Sequence, residues 1–475
     1  MTVEASDNVV SNVTYTARGA CALTNRLQGR RASTRRVGSG ALALLGGLTA
    51  ATLGASAAFG SPSHAASKAA SGKVINITMW NQDTGTSAQA LNTGVAGFNK
   101  SQSKYHVTSQ YIATVGTSET AFTAKLATAL TSHSGPNLVW SDSEPAYVPE
   151  LVSTGDVVQL APFMNQASGG LPASAFNAAM LRTGTFGGKI YSLPVDGGDY
   201  AVFYNKKLFA AAGIKSTPNT WAQLTADAKK LTKNGVYGFY VPFGTAEWTV
   251  WTYESMLWSE GGHFLNATNT KAEFASPQGV AGLQVWLNLI KQHLSYPSDL
   301  ANSSESSGYP GFQDGKVAMY IDGSYNLPTD DTALGKSNVG VFAFPATKMR
   351  AMNTGTNMAL MLKSSPAEEQ GSWAFIHYML SPKVQAAYDI TAGFLPTVKA
   401  TGSTPAYRAF VKSDPRLQVF LNELSYAHTR PSISSYQAIS TDLGQQLDAA
   451  FLGKESASQA LRTAESQANS VLKGA

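Results

Sequence analysis

The chain has 475 residues, with 35 Lys and Arg against 30 Asp and Glu, and a single cysteine. Six of the basic and two of the acidic residues fall within 1–65, so the remainder carries only +1, which excludes the clustered basic face of a nucleic-acid binder. Cys21 lies upstream of an apolar run, so the chain beyond it has no thiol for a disulfide, a thiolate metal site or a cysteine nucleophile.

Arg30-Arg31 and Arg35-Arg36 precede an uncharged Ala/Leu/Gly-rich run from Val37 to about Gly60, and Ser63-His64-Ala65 follows with small residues at the spacing of a cleavage site. Residues 1–65 therefore read as a signal peptide and 66–73 as a linker, in a protein exported to the extracellular space or cell envelope. The apolar run is also long enough for a single membrane anchor. The choice between general and twin-arginine export, the cleavage site and the true start codon stay open. So does retention at the cell surface, because no cysteine follows the run to carry a lipid.

About 400 residues remain, more than one core accommodates, so two domains are expected. "VINITMW" at 74–80 alternates apolar and polar residues as a first strand, a helix is predicted over 87–100, and "KYHVTSQYI" at 104–112 makes a second strand. A helix near 120–132 and "PNLVWS" at 136–141 continue the alternation, which means a parallel sheet covered by helices, with ligand positions at the carboxyl ends of the strands. Three loops come into view there: 80–83, 140–144 and the break Asp196-Gly197-Gly198-Asp199. Thr220 is predicted to cap a helix, and 237–243 to form another strand. In "TAEWTVWTYESMLWSEGG", at 245–262, helical spacing puts Trp251 and Trp258 on one face; burial suits Trp258, while Trp248 and Trp251 suit stacking on a sugar as well as burial.

The most specific stretch is "GGKIYSLPVDGGDYAVFYNKKLFAAAGIKSTPNTWAQLTADAKKLT", at 187–232, supported by "FQDGKVAMYIDGSYN", "SSPAEEQGSWAFIHYMLSPKVQ" and "TAGFLPT". It resembles the carbohydrate-binding extracellular solute receptors of ABC importers, the maltose-binding-protein-like group, over essentially all of the chain from Val74. The resemblance implies an α/β, two-lobe periplasmic-binding-protein-like fold of type II, with a ligand cleft between lobes joined by hinge strands. The N-lobe would hold 74–195 and 355–410, and the C-lobe 196–354 and 411–475. The implied function is capture of a sugar, a di- or oligosaccharide, by lobe closure, and its delivery to the membrane permease subunits of an ABC transporter by a monomer with no cofactor and no metal.

Carried over residue by residue, the resemblance makes Trp80, Asn81 and Asp83 part of a ligand loop, with Asp142 in the corresponding loop after the third strand. Asp196 or Asp199 would accept hydrogen bonds from sugar hydroxyls while Gly197-Gly198 supply backbone freedom. Trp251, with Trp248, falls where a stacking aromatic is expected, and Asp322 and Tyr325 lie in the loop where a Gly-x-Trp is common. Gly355, Thr356 and Asn357 match a loop that approaches sugar through backbone amides, and Arg430 completes the set. Tyr204 and Asn205 are read as structural, and His263 as a surface or capping residue.

Two other readings stay open. A secreted glycoside hydrolase would need two carboxylates facing each other across the scissile bond, and Asp83, Asp142, Asp196, Asp199, Asp322 and Glu247 leave room for a pair. A receptor for a polyol or glycerol-phosphate compound is the other. No GxSxG or HExxH occurs, and Gly335-Lys336-Ser337 lacks the first glycine of a phosphate-cradling loop, since Asp330 stands in its place.

Overall fold

The computed structural model describes residues 73–113, 119–142, 144–244, 247–297 and 309–474. The expected signal peptide and nearly all of the linker lie outside these residues. Among the described residues no helix is long and apolar enough to cross a membrane.

β1 (Ile75–Asn81) buries Ile77 and Met79 and turns Asn76 and Thr78 outward, the period-two pattern of a strand covered on one side. It pairs in parallel with β2 (Tyr105–Tyr111) and β3 (Leu138–Asp142). α1 (Gly85–Ser101) makes the first crossover, burying Ala90, Leu91, Gly94 and Phe98 at helical spacing. α2 (Glu119–Thr131) makes the second. α4 (Ala178–Thr183), after α3 (Glu144–Thr154), leads to β4 (Ser192–Pro194). A late strand, β9 (Asn357–Met361), returns antiparallel between β3 and β4 and completes the sheet order β2-β1-β3-β9-β4.

The second lobe is built on β5 (Tyr200–Asn205), flanked by β6 (Met319–Gly323) and β7 (Val339–Phe342), both antiparallel to it. Asn205 ends β5 and caps the next helix, its Oδ1 accepting from the amides of Lys207 and Leu208 at 3.0 and 3.2 Å. Thr220 caps α5 (Trp221–Leu231) by accepting from the Gln223 amide at 3.2 Å. Residues 237–243, expected as a strand, form none. Tyr237 and Phe239 make only isolated bridges, and Tyr240 donates to Met319 at 2.9 Å, so the run lies beside β6 as an interrupted edge with Gly238 pressed onto Ala228.

α6 (Glu247–Ser259) and α7 (Pro277–Lys291) cover this lobe. β8 (Met352–Asn353) precedes β9, and α8 (Pro366–Met379) and α9 (Pro382–Ala392) follow it onto the first lobe, where Phe98 meets Phe375 edge-on at 5.3 Å. α10 (Pro405–Ser413) leads to α11 (Arg416–Glu423), which packs on β5 and β7. β10 (Ala427–His428) pairs in parallel with β8. α12 (Tyr436–Phe451) and α13 (Ala457–Gly474) pack together, with Ala460, Ala464 and Ala468 fully buried along one face, and α12 also lies on α6.

The Asp-Gly-Gly-Asp break carries the chain from β4 to β5. Gly197 exchanges backbone hydrogen bonds with Leu395 at 2.8 and 2.9 Å, and Gly198 does the same with Gly355 at 2.8 and 2.9 Å. Neither glycine has a positive φ. Gly197 lies in a crowded place: a Cβ there would come 2.3 Å from Met180 Cε, the flexible end of that side chain, and 3.1 Å from Leu395 O, whereas at Gly198 the nearest atom would be Gly355 O at 3.6 Å. Backbone freedom, the reason expected from sequence, is therefore replaced by crowding at one position and by strand pairing at both.

Candidate functional site

The carboxyl ends of β1 and β3 meet the start of β9, since Asn357 stands opposite Asp142 in the register. The Asp142 side chain lies outside the described residues. Asn81, buried, donates from Nδ2 to Ser109 Oγ at 2.8 Å, and its Oδ1 accepts from the Asp83 amide at 3.1 Å, which turns the loop after β1. Trp80 packs into the core with the Lys125 amine 5.9 Å from its ring centre. Asp83 is half-buried.

Asp196 is held on several sides. Its Oδ1 accepts from the Asn357 amide at 3.1 Å, and its Oδ2 from Asn357 Nδ2 at 2.9 Å and from the Tyr388 hydroxyl at 3.1 Å. Burial first, and then the charges of Asp196 and Asp83, push the Tyr388 phenol well above its ordinary range, so it remains a donor. Asp83, Asp196, Asn357 and Tyr388 thus form one polar cluster at the sheet edge. Tyr388 carries no motif; it is one aromatic on a buried helix face, and nothing in the sequence distinguishes it from a core residue.

The loop expected to offer backbone amides is already occupied at two of three places. The Gly355 amide donates to Gly198 and the Asn357 amide to Asp196. Thr356 is buried and exchanges a hydroxyl contact with Thr183 at 3.1 Å.

Asp199 differs from Asp196. It is 1% exposed, and no residue other than its own backbone amide offers its carboxylate a hydrogen bond among the described residues. Burial, followed by the charge of Glu423, raises its pKa well above the ordinary value, which favours the neutral acid.

In the second lobe Tyr200 is the centre of an aromatic group. Trp251 meets it edge-on at 4.8 Å, Phe344 at 5.2 Å and Trp248 at 5.9 Å, while the two tryptophans lie 4.9 Å apart, tilted by 36°. Both tryptophans are half-buried, and the Trp251 indole N–H has no acceptor among the described residues. Behind them the Tyr200 hydroxyl is hydrogen-bonded to Ser255, which also accepts from the Asn353 amide at 2.7 Å. Trp258, a heptad beyond Trp251, is buried against His428, as its separate reading anticipated.

Asp322 is fully buried. Its Oδ1 accepts from the Gly323 amide and its Oδ2 from Asn326 Nδ2, both at 2.7 Å, so it shapes the turn that presents Tyr325. Tyr325 is half-buried and packs on Phe394 at 5.5 Å, at the junction of the lobes, with Gly323 leaving room for its ring. Arg430 is buried and bonds Glu247 Oε1 at 2.8 Å; Tyr436 and Ser440 also donate to Glu247. The guanidinium is thereby tied to the first turn of α6, one residue before Trp248. Among the described residues no group of three or more His, Cys, Asp or Glu could hold a metal ion.

Residues 82–386 match the family model of the bacterial extracellular solute-binding proteins. A binding protein of Brucella abortus is 28% identical over 302 residues, covering 63% of this chain and 72% of that one. The sn-glycerol-3-phosphate-binding periplasmic protein of Yersinia pseudotuberculosis is 23% identical over 300 residues, covering 58% of this chain and 65% of that one. Among solved structures, the cyclic alpha-maltosyl-1,6-maltose binding protein of Arthrobacter globiformis superposes with a TM-score of 0.73 at 27% identity, over 85% of this chain and 100% of that one. With the two sheets, the strands that cross between them and this match over most of the folded chain, the protein belongs to the bacterial extracellular solute-binding protein family.

Proposed function

We propose that the protein captures a di- or oligosaccharide between its lobes, closes on it, and delivers it unaltered to the permease of an ABC importer, working as an exported monomer at the cell envelope. The observation that carries this reading is the half-buried Trp248–Trp251 pair beside Tyr200, at the start of the strand that leaves the crossing, with a Trp251 N–H awaiting an acceptor. Flat rings suit the CH faces of pyranoses, and an indole N–H suits a hydroxyl oxygen. The sugar-binding relative of Arthrobacter globiformis supports the same class of ligand.

In this reading Asp83, Trp251 and Tyr325 contact the sugar, with Trp80, Asn81, Asp142, Trp248 and Thr356 around them. Asp196, Asp322, Gly355, Asn357 and Arg430 hold these groups in place, and Asp199 accepts from a hydroxyl where it becomes accessible. A ligand gripped by both lobes shifts the open–closed balance only by its differential affinity for the closed form, which the permease would sense. Isothermal calorimetry with a panel of mono- and oligosaccharides tests the proposal, which fails if none gives a saturable heat. Chromatography after long incubation with oligosaccharides separates binder from hydrolase, since hydrolysis products would overturn the binding role.

A further inference from the structure

A cavity of about 510 Å³ opens where the loop after α6 faces the segment that follows β10. Its lining includes His263, His428 and Arg430 and no acidic residue. Arg430 already has Glu247 as its counter-charge. Neither imidazole forms an ion pair among the described residues, and neither does Arg182, which reaches His428 electrostatically from α4.

The cavity is firmly built. The His428 ring lies over Trp258 at 4.8 Å and 22°, which fixes the orientation of the imidazole, and its backbone is fixed by the pairing of β10 with β8. Gly262 is buried against Leu257, setting the path of the loop that carries His263. The result is a wall that presents two imidazoles and the Thr429 hydroxyl, with Arg430 behind them already paired to Glu247.

We propose that this cavity, whose lining includes none of Asp83, Trp251 and Tyr325, is a second ligand site that binds a phosphate-class oxyanion, free or esterified. His428 and His263 donate to the oxygens.

The sign of the pH dependence follows. Burial first, and then Arg182 and His263, lower the His428 pKa. The other charged group lining the cavity, Arg430, is matched by Glu247. A bound anion favours the imidazolium, so binding takes up a proton and tightens as pH falls through the His428 titration.

The test follows the imidazole Cε1–H resonances of the full mature protein by NMR while inorganic phosphate, glycerol phosphate or uncharged glucose is added at constant ionic strength and at two pH values. Saturable shifts of His263 and His428 with phosphate, tighter at the lower pH once affinity is expressed per phosphate dianion and weakened about tenfold in His428→Gln, are expected, a loss of about 1.4 kcal/mol. Resonances are assigned with His263→Gln, an exposed position that leaves the fold intact. Saturation by free phosphate alone identifies the ion as occupant, and saturation by both shows that the site takes the phosphate group whether free or esterified. Shifts that stay linear in phosphate, or equal affinity in His428→Gln, overturn the site. Sugar binding, read separately by calorimetry in the same variants, remains unchanged.

Discussion

The Tyr388 hydroxyl donates to Asp196 Oδ2 at 3.1 Å, linking α9 to the first residue of the crossing break. Together with both nitrogens of Asn357, this leaves Asp196 surrounded by donors that are themselves buried. Asp196→Ala orphans all of them, and the expected loss is about 3 kcal/mol, since one unsatisfied buried donor costs about 1–3 kcal/mol. Urea unfolding reads this, and Tyr388→Phe, which removes one donor, is expected to cost less. Equal losses from the two variants would show that Asn357 contributes nothing.

Trp251→Ala is expected to weaken sugar binding by about 1–3 kcal/mol, the range for a buried aromatic anchor. Trp251→Phe keeps a ring against Tyr200 but removes the indole donor, so it separates stacking from hydrogen bonding. If calorimetry gives wild-type affinity for both variants while the melting temperature falls, the ring belongs to the core alone.

Glu423 gives a pH prediction. Burial raises its pKa from 4.5 to about 7, against the opposing pull of Arg350, of the Phe344 amide and of the Arg350 hydrogen bond. The folded state therefore holds a proton that the unfolded chain releases at lower pH, so stability is present below about 4.5 and is lost as pH rises toward about 7. Thermal melts across this window should fall with rising pH, and Glu423→Gln should flatten the slope. An unchanged slope in the variant would assign it to other groups, such as Asp330, which burial raises to about 6.

Gly197→Ala is expected to destabilise more than Gly198→Ala, because the first added methyl meets Met180 at 2.3 Å and Leu395 O at 3.1 Å, while the second meets nothing nearer than 3.6 Å. Shortening the obstructing side chain with Met180→Ala should recover part of the Gly197→Ala loss. Chemical denaturation of the double variant measures the coupling, and simple additivity would show that the clash relaxes elsewhere.

The alternation of strands and helices at the start of the first lobe was legible because β1 and β2 show a period-two pattern, β3 is a short apolar run and α1 has a separate apolar face. The expected strand at 74–80 and the observed one at 75–81 differ by a single residue at each end. The segment 237–243 was not legible: its apolar residues are buried against an interrupted edge, and burial of that kind has the same composition as a strand. In the candidate site, residue type was readable but orientation was not. Asp322 and Arg430 have the chemistry of ligand contacts, yet each has a partner within its own lobe that only the folded chain brings near. Tyr388 shows the converse, since a donor poised at the crossing looks in sequence like any other aromatic on an amphipathic helix.

The reciprocal bonds of Gly197 with Leu395 and of Gly198 with Gly355 stitch three separate passages of the chain side by side. A single covalent link would let the halves swivel in any direction. A laced strap of this kind resists twisting and sideways slip, leaving a rocking movement as its soft direction, so that the jaws meet in the same alignment at every stroke.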